Sequence, residues 1–187
     1  MTLWGGVDVG VKKGFHVAVV DEAHFVRRSN VATADDVVGH VRDCDLVAVD
    51  SPRACAGLGE RTRECERLLA HRVCGIRWTP DEPTVRGGNP YYEWIVCGLE
   101  LYAAFDREGI EAVECFPTAS WTRWGGARSG ATRARWSARV LAEQGLLNVP
   151  TSLNQDWRDA IGAALTARAA TRGLTEPLGE IFVPLGA

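Results

Sequence analysis

The sequence lacks the features that mark several specialised classes of protein. None of its apolar runs approaches the roughly 20 residues that span a bilayer, and its N-terminus has no charged start followed by an apolar block. Repeats, low-complexity stretches and obvious linkers are also absent. With 46% apolar and 24% charged residues, we expect one globular domain over residues 1–187, located in the cytoplasm, with no membrane partner.

Closely spaced metal-ligand pairs and hydrolase triads are absent as well. The six cysteines include no C-x-x-C pair, which excludes a zinc ribbon. The four histidines have no ligand spacing, and no histidine partner is evident for Ser51, Thr118 or Ser120. The chain also has no excess of positive charge, because 24 acidic residues outnumber 21 basic ones. Any nucleic-acid site must therefore be a local patch.

The pattern of apolar residues predicts an α/β fold. Runs at 4–8, 15–20 and 24–31 are separated by tight turns and indicate an antiparallel meander. Strands follow at 46–50 and 110–115, with a last short one possible at 181–183. Helical spacing covers 33–43, 61–72, 94–108, 132–144 and 155–172. We predict a mixed five-stranded sheet, in which strands 3-2-1 form the meander and strands 4 and 5 are parallel, with helices on both faces.

Acidic residues stand where this fold would bring them together. Asp8 and Asp50 each end an apolar strand, and parallel pairing of strands 1 and 4 would place them side by side at the edge where open α/β sheets bind ligands. Asp156 and Asp159 share a face at the start of the last helix. Glu114, in the fifth strand, is a candidate fifth acid. Taken singly, each Asp could equally be a turn residue or a helix cap.

Carboxylates that converge in this way need a compensating charge, and a divalent cation is the simplest one. Mg²⁺ or Mn²⁺ takes oxygen ligands and retains sites for water and a substrate phosphate. Two such ions would stabilise the attacking and leaving oxygens of a phosphodiester. We therefore expect a metal site made by Asp8, Asp50, Asp156 and Asp159.

A stretch without acidic residues runs from Cys115 to Ala142 and contains both arginines and tryptophans. It suggests a nucleic-acid-binding patch, since arginine binds phosphate and tryptophan stacks on unpaired bases; the alternative is a solvated arginine face over core tryptophans. Arg53 is a further candidate for a substrate phosphate or a surface ion pair. Lys12 and Lys13 are candidates for the same phosphate or are simply solvated. The candidate substrate-binding residues are Arg53, Arg123, Arg128, Arg133 and Arg135, with Trp121, Trp124 and Trp136 interleaved.

Six segments, in this order, resemble the DUF429 family of predicted nucleases: GVDVGVKKGFHVAVVD, VAVDSPRA, RECERLL, GIRWTP, VECFPTASW and DWRDAIGAALTA. The resemblance implies a ribonuclease H-like fold. The start of the last segment is also similar to the acidic C-terminal helix of RuvC-type resolvases, which implies metal-ligand roles for Asp156 and Asp159. Resolvases of that type carry Glu where this chain has Asp50, and their similarity also implies a homodimer.

Three functions are compatible with these patterns. The first is a metal-dependent nuclease that hydrolyses nucleic acid by a two-metal carboxylate mechanism. The second is a non-catalytic nucleic-acid-binding or scaffold protein with the same fold. The third is a phosphotransferase of the actin-like or sugar-kinase kind, because Asp8-Val-Gly10 before a hairpin resembles the phosphate-handling start of those enzymes; however, Val11 and Lys12 replace their usual hydroxyl residue.

Overall fold

The computed structural model describes residues 1–186. Its centre is a mixed seven-stranded sheet in the order β3-β2-β1-β4-β5-β7-β6. The strands are β1 Trp4–Val9, β2 Phe15–Val20, β3 Phe25–Val31, β4 Leu46–Asp50, β5 Ala112–Cys115, β6 Thr175–Leu178 and β7 Ile181–Pro184.

Seven helices and one short 3₁₀ turn, Pro90–Tyr92, connect and cover these strands. None of the helices within residues 1–186 has the length and apolar character that a membrane crossing requires. The helices are α1 Ala34–Val41, α2 Glu64–Arg72, α3 Glu82–Val85, α4 Glu93–Glu108, α5 Pro117–Gly125, α6 Arg133–Glu143 and α7 Gln155–Thr171.

The predicted strand order is confirmed for the first five strands. β1, β2 and β3 form the antiparallel meander, β4 joins the free side of β1 in parallel, and β5 pairs in parallel with β4. The prediction of a five-stranded sheet is wrong, because β7 adds to β5 and β6 closes the edge as an antiparallel partner. Pro177 is tolerated in β6 because an edge strand does not need every backbone N–H.

Two helical segments were not predicted. The first is α5, which begins at Pro117 because proline suits the first turn of a helix. The second is α3, between residues 79 and 92, whose first turn is capped by the Asp81 side chain accepting from the backbone N–H of Thr84. That region is therefore partly helical.

Helices lie on both faces of the sheet, as predicted. One face is covered by α1 and α4, where Val7, Val49, Leu101 and Phe105 belong to one apolar cluster. The other face is covered by α7, with α5 and α6 packed against it. The candidate site lies at the carboxyl ends of the parallel strands.

Candidate active site

The four predicted aspartates line one cavity of about 760 Å³. Asp8 and Asp50 are direct partners in the parallel pairing of β1 with β4, as the sequence predicts. Asp156 and Asp159 come from the start of α7, where the Asn154 side chain caps the helix by accepting from the Trp157 backbone N–H. Two strand ends and one helix start therefore bring the four carboxylates to the same space.

The approach of α7 to the sheet depends on Gly6, two residues before Asp8. A Cβ atom at this position would lie 2.1 Å from the Ala160 carbonyl oxygen and 2.2 Å from the Ala164 nitrogen. No side chain can occupy that space without moving the helix. The helix backbone therefore rests directly on β1 at Ala160, the residue that follows Asp159.

Asp159 is buried and held by three donors. Its Oδ1 accepts hydrogen bonds from Trp121 Nε1 at 3.1 Å and Gln155 Nε2 at 2.9 Å, and its Oδ2 accepts one from the Arg133 guanidinium at 2.9 Å. Burial raises the pKa of Asp159, and the positive charge of Arg133 acts in the opposite direction. The orientation of this carboxylate is fixed by its partners.

Asp8 and Asp50 are far less compensated. Burial, followed by the charges of Asp159 and Asp156, raises the pKa of Asp8 to about 7. Burial, followed by the charge of Asp8, raises the pKa of Asp50 well above its ordinary value. The charged forms of Asp8 and Asp50 are thus disfavoured, and the positive charge of nearby Arg133 offsets this effect only in part.

Asp156 is paired with a residue of the first hairpin. Lys13 Nζ lies 2.6 Å from Asp156 Oδ2, with 70% of the lysine side chain exposed. This hydrogen bond, followed by the charge of Asp156, raises the pKa of Lys13. Lys13 was predicted to contact a substrate phosphate or simply to be solvated, and instead it contacts a candidate metal ligand.

The residue types of this cluster suit a hard divalent cation, since four carboxylates offer oxygen ligands and repel one another without one. Within residues 1–186, however, no three acidic, histidine or cysteine side chains are grouped so that they could already hold a metal ion. Arg133 and Lys13 compete for the oxygens of Asp159 and Asp156. A cation would therefore have to displace or share these two partners.

Glu114 approaches the cavity from the opposite face of the sheet. It pairs with Val49 in the parallel ladder, and Val49 packs against α4 rather than α7. Both Glu114 oxygens accept hydrogen bonds from Arg63, at 2.5 and 2.7 Å, and one also accepts from the Arg53 backbone N–H. Glu114 therefore lines the same cavity as the four aspartates, as expected of a fifth acid, but Arg63 holds both of its oxygens, and a role in the site stays a prediction.

Two of the five candidate arginines line the cavity, namely Arg128 and Arg133. The Arg53 side chain instead pairs with Asp106 at 3.0 Å, and Arg123 pairs with Glu176 at 2.9 Å. Arg135 is exposed on α6, outside the residues that line the cavity. Fewer of the candidate arginines therefore line the cavity than the sequence predicts.

The tryptophans of the same segment belong to the core. Trp121 is fully buried, Trp136 is 4% exposed, and Trp124 packs against their cluster. The prediction that these rings form a stacking surface for bases is wrong. Trp121 instead contributes to the site through its indole N–H, which orients Asp159.

Sequence reasoning missed two arginines of the cavity wall, Arg63 and Arg77. Arg63 precedes α2, and its partner Glu114 is 51 residues away in the chain. Both arginines lie in segments that resemble DUF429, RECERLL and GIRWTP. Their place in these segments was the signal available from the sequence.

Comparison with solved structures identifies the fold. The structure of T. thermophilus RuvC in complex with a Holliday junction substrate matches with a TM-score of 0.51 and 15% identity, over 92% of this chain and 96% of that chain. The fold is ribonuclease H-like. A second Thermus thermophilus RuvC structure matches with a TM-score of 0.49 and 17% identity, over 92% of this chain and 97% of that one. No protein-family model matches the sequence, and no curated protein matches it.

Proposed function

We propose that this protein is a metal-dependent nuclease that hydrolyses phosphodiester bonds of nucleic acid. The observation that carries the proposal is the convergence of Asp8, Asp50, Asp156 and Asp159 on one cavity that also contains arginines. The similarity in fold to RuvC, which is bound to a Holliday junction substrate in one of its structures, supports the same proposal. We also infer membership of the DUF429 family, because its segments supply the strand ends and the start of α7 that form this cavity.

In this proposal the four aspartates hold Mg²⁺ or Mn²⁺. The bound metal supplies Lewis-acid chemistry that polarises a phosphodiester. Trp121 and Gln155 keep Asp159 oriented through their hydrogen bonds to its Oδ1. Burial and mutual repulsion make Asp8 and Asp50 poor anions by themselves, so that binding of a cation is favoured.

The arginines of the cavity bind the phosphate group of the substrate. Arg128 and Arg133 lie on the wall formed by α6 and the segment before it, beside the aspartates. Arginine suits this role because its planar guanidinium makes two parallel hydrogen bonds to phosphate oxygens. When Arg133 turns towards a phosphate, it also frees one oxygen of Asp159.

Purified protein, incubated with Mn²⁺ and labelled nucleic acids, tests the proposal. The panel contains single-stranded, duplex and branched DNA, RNA, and an RNA–DNA hybrid. We expect cleavage of at least one substrate, and a loss of at least about a hundredfold in Asp8→Asn, because a metal centre contributes several kcal/mol to the transition state. Asp106→Asn, which changes an exposed carboxylate outside the cavity, is the matched control. Equal cleavage by wild type and Asp8→Asn would contradict the proposal.

A second candidate is a nucleic-acid-binding protein without catalytic activity. The ion pairs of Asp156 with Lys13 and of Asp159 with Arg133 favour it, because protein cations already neutralise two of the four acids. The same panel separates the two functions. Binding without cleavage, together with no stabilisation by Mn²⁺, would favour the second.

A further inference from the structure

A second cavity lies next to the aspartates and carries exposed aromatic rings. It has a volume of about 670 Å³ and lies between the segment 76–80 and the 3₁₀ turn Pro90–Tyr92. Trp78 and Tyr91 line it, with 55% and 51% of their surfaces exposed. We call this cavity the aromatic groove. These two rings are the kind of exposed stacking surface that the sequence had suggested for Trp121, Trp124 and Trp136.

The exposed indole of Trp78 is attached to a firmly held backbone. The next residue, Thr79, donates its backbone N–H to both oxygens of the buried Glu66 at 3.1 and 3.0 Å. The Pro80 carbonyl oxygen accepts from the Ala56 backbone N–H at 3.1 Å. Glu66 is itself bound by Arg63. The backbone that carries the ring is therefore fixed, which lowers the entropy that has to be lost when a ligand binds.

The aromatic groove adjoins the cavity of the aspartates. Ile76 lines both cavities, and Arg77, the next residue, lines the aspartate cavity. The guanidinium carbon of Arg77 also lies 5.9 Å from the centre of the Tyr91 ring. A nucleotide chain that left the aspartates along this wall would meet Arg77 before Trp78.

The groove and its junction with the aspartate cavity carry two arginines and two acids. Arg61 lines it and Arg77 stands at its junction with the aspartate cavity, so that both can contact phosphates. Of the acids in its wall, Asp81 accepts from the backbone N–H groups of Gly59 and Thr84, and Glu60 is exposed. The flat rings of Trp78 and Tyr91 offer stacking for a base of any sequence. In an intact duplex the faces of the bases are covered by their neighbours and cannot reach such rings.

We propose that the aromatic groove binds an unpaired nucleotide next to the scissile phosphate, so that the substrate is single-stranded or has an unpaired segment. This inference rests on the proposed nuclease function, which assigns the scissile phosphate to the neighbouring aspartate cavity. It selects one substrate class from those left open by the sequence. The stacking chemistry is the same for DNA and RNA.

Equilibrium binding measured without cleavage tests the groove. Fluorescence anisotropy with labelled oligothymidylate, oligouridylate and a blunt duplex of equal length, in Ca²⁺ instead of Mn²⁺, gives the affinity of each variant. We expect Trp78→Ala to bind one or both single strands between about 5-fold and 100-fold more weakly, as the loss of one stacking ring predicts, and to bind the duplex as wild type does.

Three further variants sharpen the test. Trp78→Phe keeps an aromatic face and should recover most of the affinity, and Leu174→Ala removes an equally exposed apolar side chain remote from the groove and should change nothing. Arg77→Ala should reduce the slope of log affinity against log salt by about 0.7, whereas Trp78→Ala leaves that slope unchanged. Unaltered thermal unfolding verifies that each variant is folded.

The inference is overturned if wild type binds neither single strand, if Trp78→Ala binds both as wild type does, or if its loss is equal on the duplex. These outcomes are independent of catalysis. Failure to cleave any substrate in Mn²⁺ would remove the nuclease proposal while a selective binding loss in Trp78→Ala would still support the groove. Normal binding and cleavage of single strands by Trp78→Ala would remove the groove and leave the nuclease.

Discussion

Both faces of the sheet carry buried carboxylates at the same edge, but the surroundings of these carboxylates differ between the two faces. On the α4 side, Glu114 and Glu66 surround Arg63, which donates to both of them, and backbone N–H groups complete their hydrogen bonding. On the α7 side, Asp8 and Asp50 lie beside each other and the acids of α7, and burial, followed by the charges of these neighbours, raises the pKa of both. A buried acid with its own arginine stabilises the fold, whereas a group of acids that repel one another is suited to bind a cation from solution.

Removing the arginine should have the largest effect on stability. We expect Arg63→Ala to lower the free energy of unfolding by about 3–5 kcal/mol, because it leaves buried carboxylates without a partner. Urea denaturation at neutral pH measures the loss. Arg107→Ala, which breaks an exposed ion pair with Asp35, should cost no more than about 1 kcal/mol. A similarly small loss of unfolding free energy in Arg63→Ala would contradict the conclusion that Arg63 compensates the buried acids of the α4 side.

The second-largest expected effect is the stabilisation of the protein by a divalent cation, which should depend on the acids of the α7 side only. Mn²⁺ at roughly 100 times its dissociation constant should stabilise wild type by about 2.7 kcal/mol, because it binds only the folded state. Asp8→Asn should abolish this stabilisation, while Glu114→Gln should retain it despite a lower starting stability. Thermal unfolding with and without Mn²⁺ provides the measurement. If Glu114→Gln lost the response and Asp8→Asn kept it, the assignment of the two faces would be reversed.

The smallest expected effect is on the pH dependence of stability. Folding raises the pKa of Asp8 to about 7, so between about pH 4 and pH 7 the native state binds more protons than the unfolded chain, and stability falls as pH rises. Without divalent cations, Asp8→Asn should remove roughly 1–2 kcal/mol of this decline between pH 5 and pH 8, since residual exposure of the carboxylate screens part of its burial cost. Urea midpoints across that range report the slope. An equally steep decline in Asp8→Asn would contradict the assignment.

The sequence predicts the part of the fold that depends on strong local patterns. The hairpins of β1–β3 leave only one free side of β1 for the buried strand β4, and this constraint places Asp8 beside Asp50. β6 and β7 were missed as a sheet extension because each has only four residues and β6 contains a proline. Short strands depend on their partners more than on their own sequence.

The site was predicted in part, and the missing part consists of contacts between distant residues. Aspartates at strand ends and at a helix start are visible in the sequence, but the pairing of Arg63 with Glu114 across 51 residues is not. Interleaved arginine and tryptophan residues also have the same spacing in a core helix as in a stacking surface. Only the burial of Trp121 and Trp136 decides between them.

The contact of α7 with Gly6 has a consequence for the spacing of the aspartates. Because main chain touches main chain there, the separation of Asp8 from Asp159 is set by the backbone and by no adjustable side chain. A larger residue at position 6 would lift the helix and carry Asp156 and Asp159 away from the strand ends together. In the proposed metal site, Gly6 would thus help to set how closely the strand-end and helix carboxylates can approach a common ion.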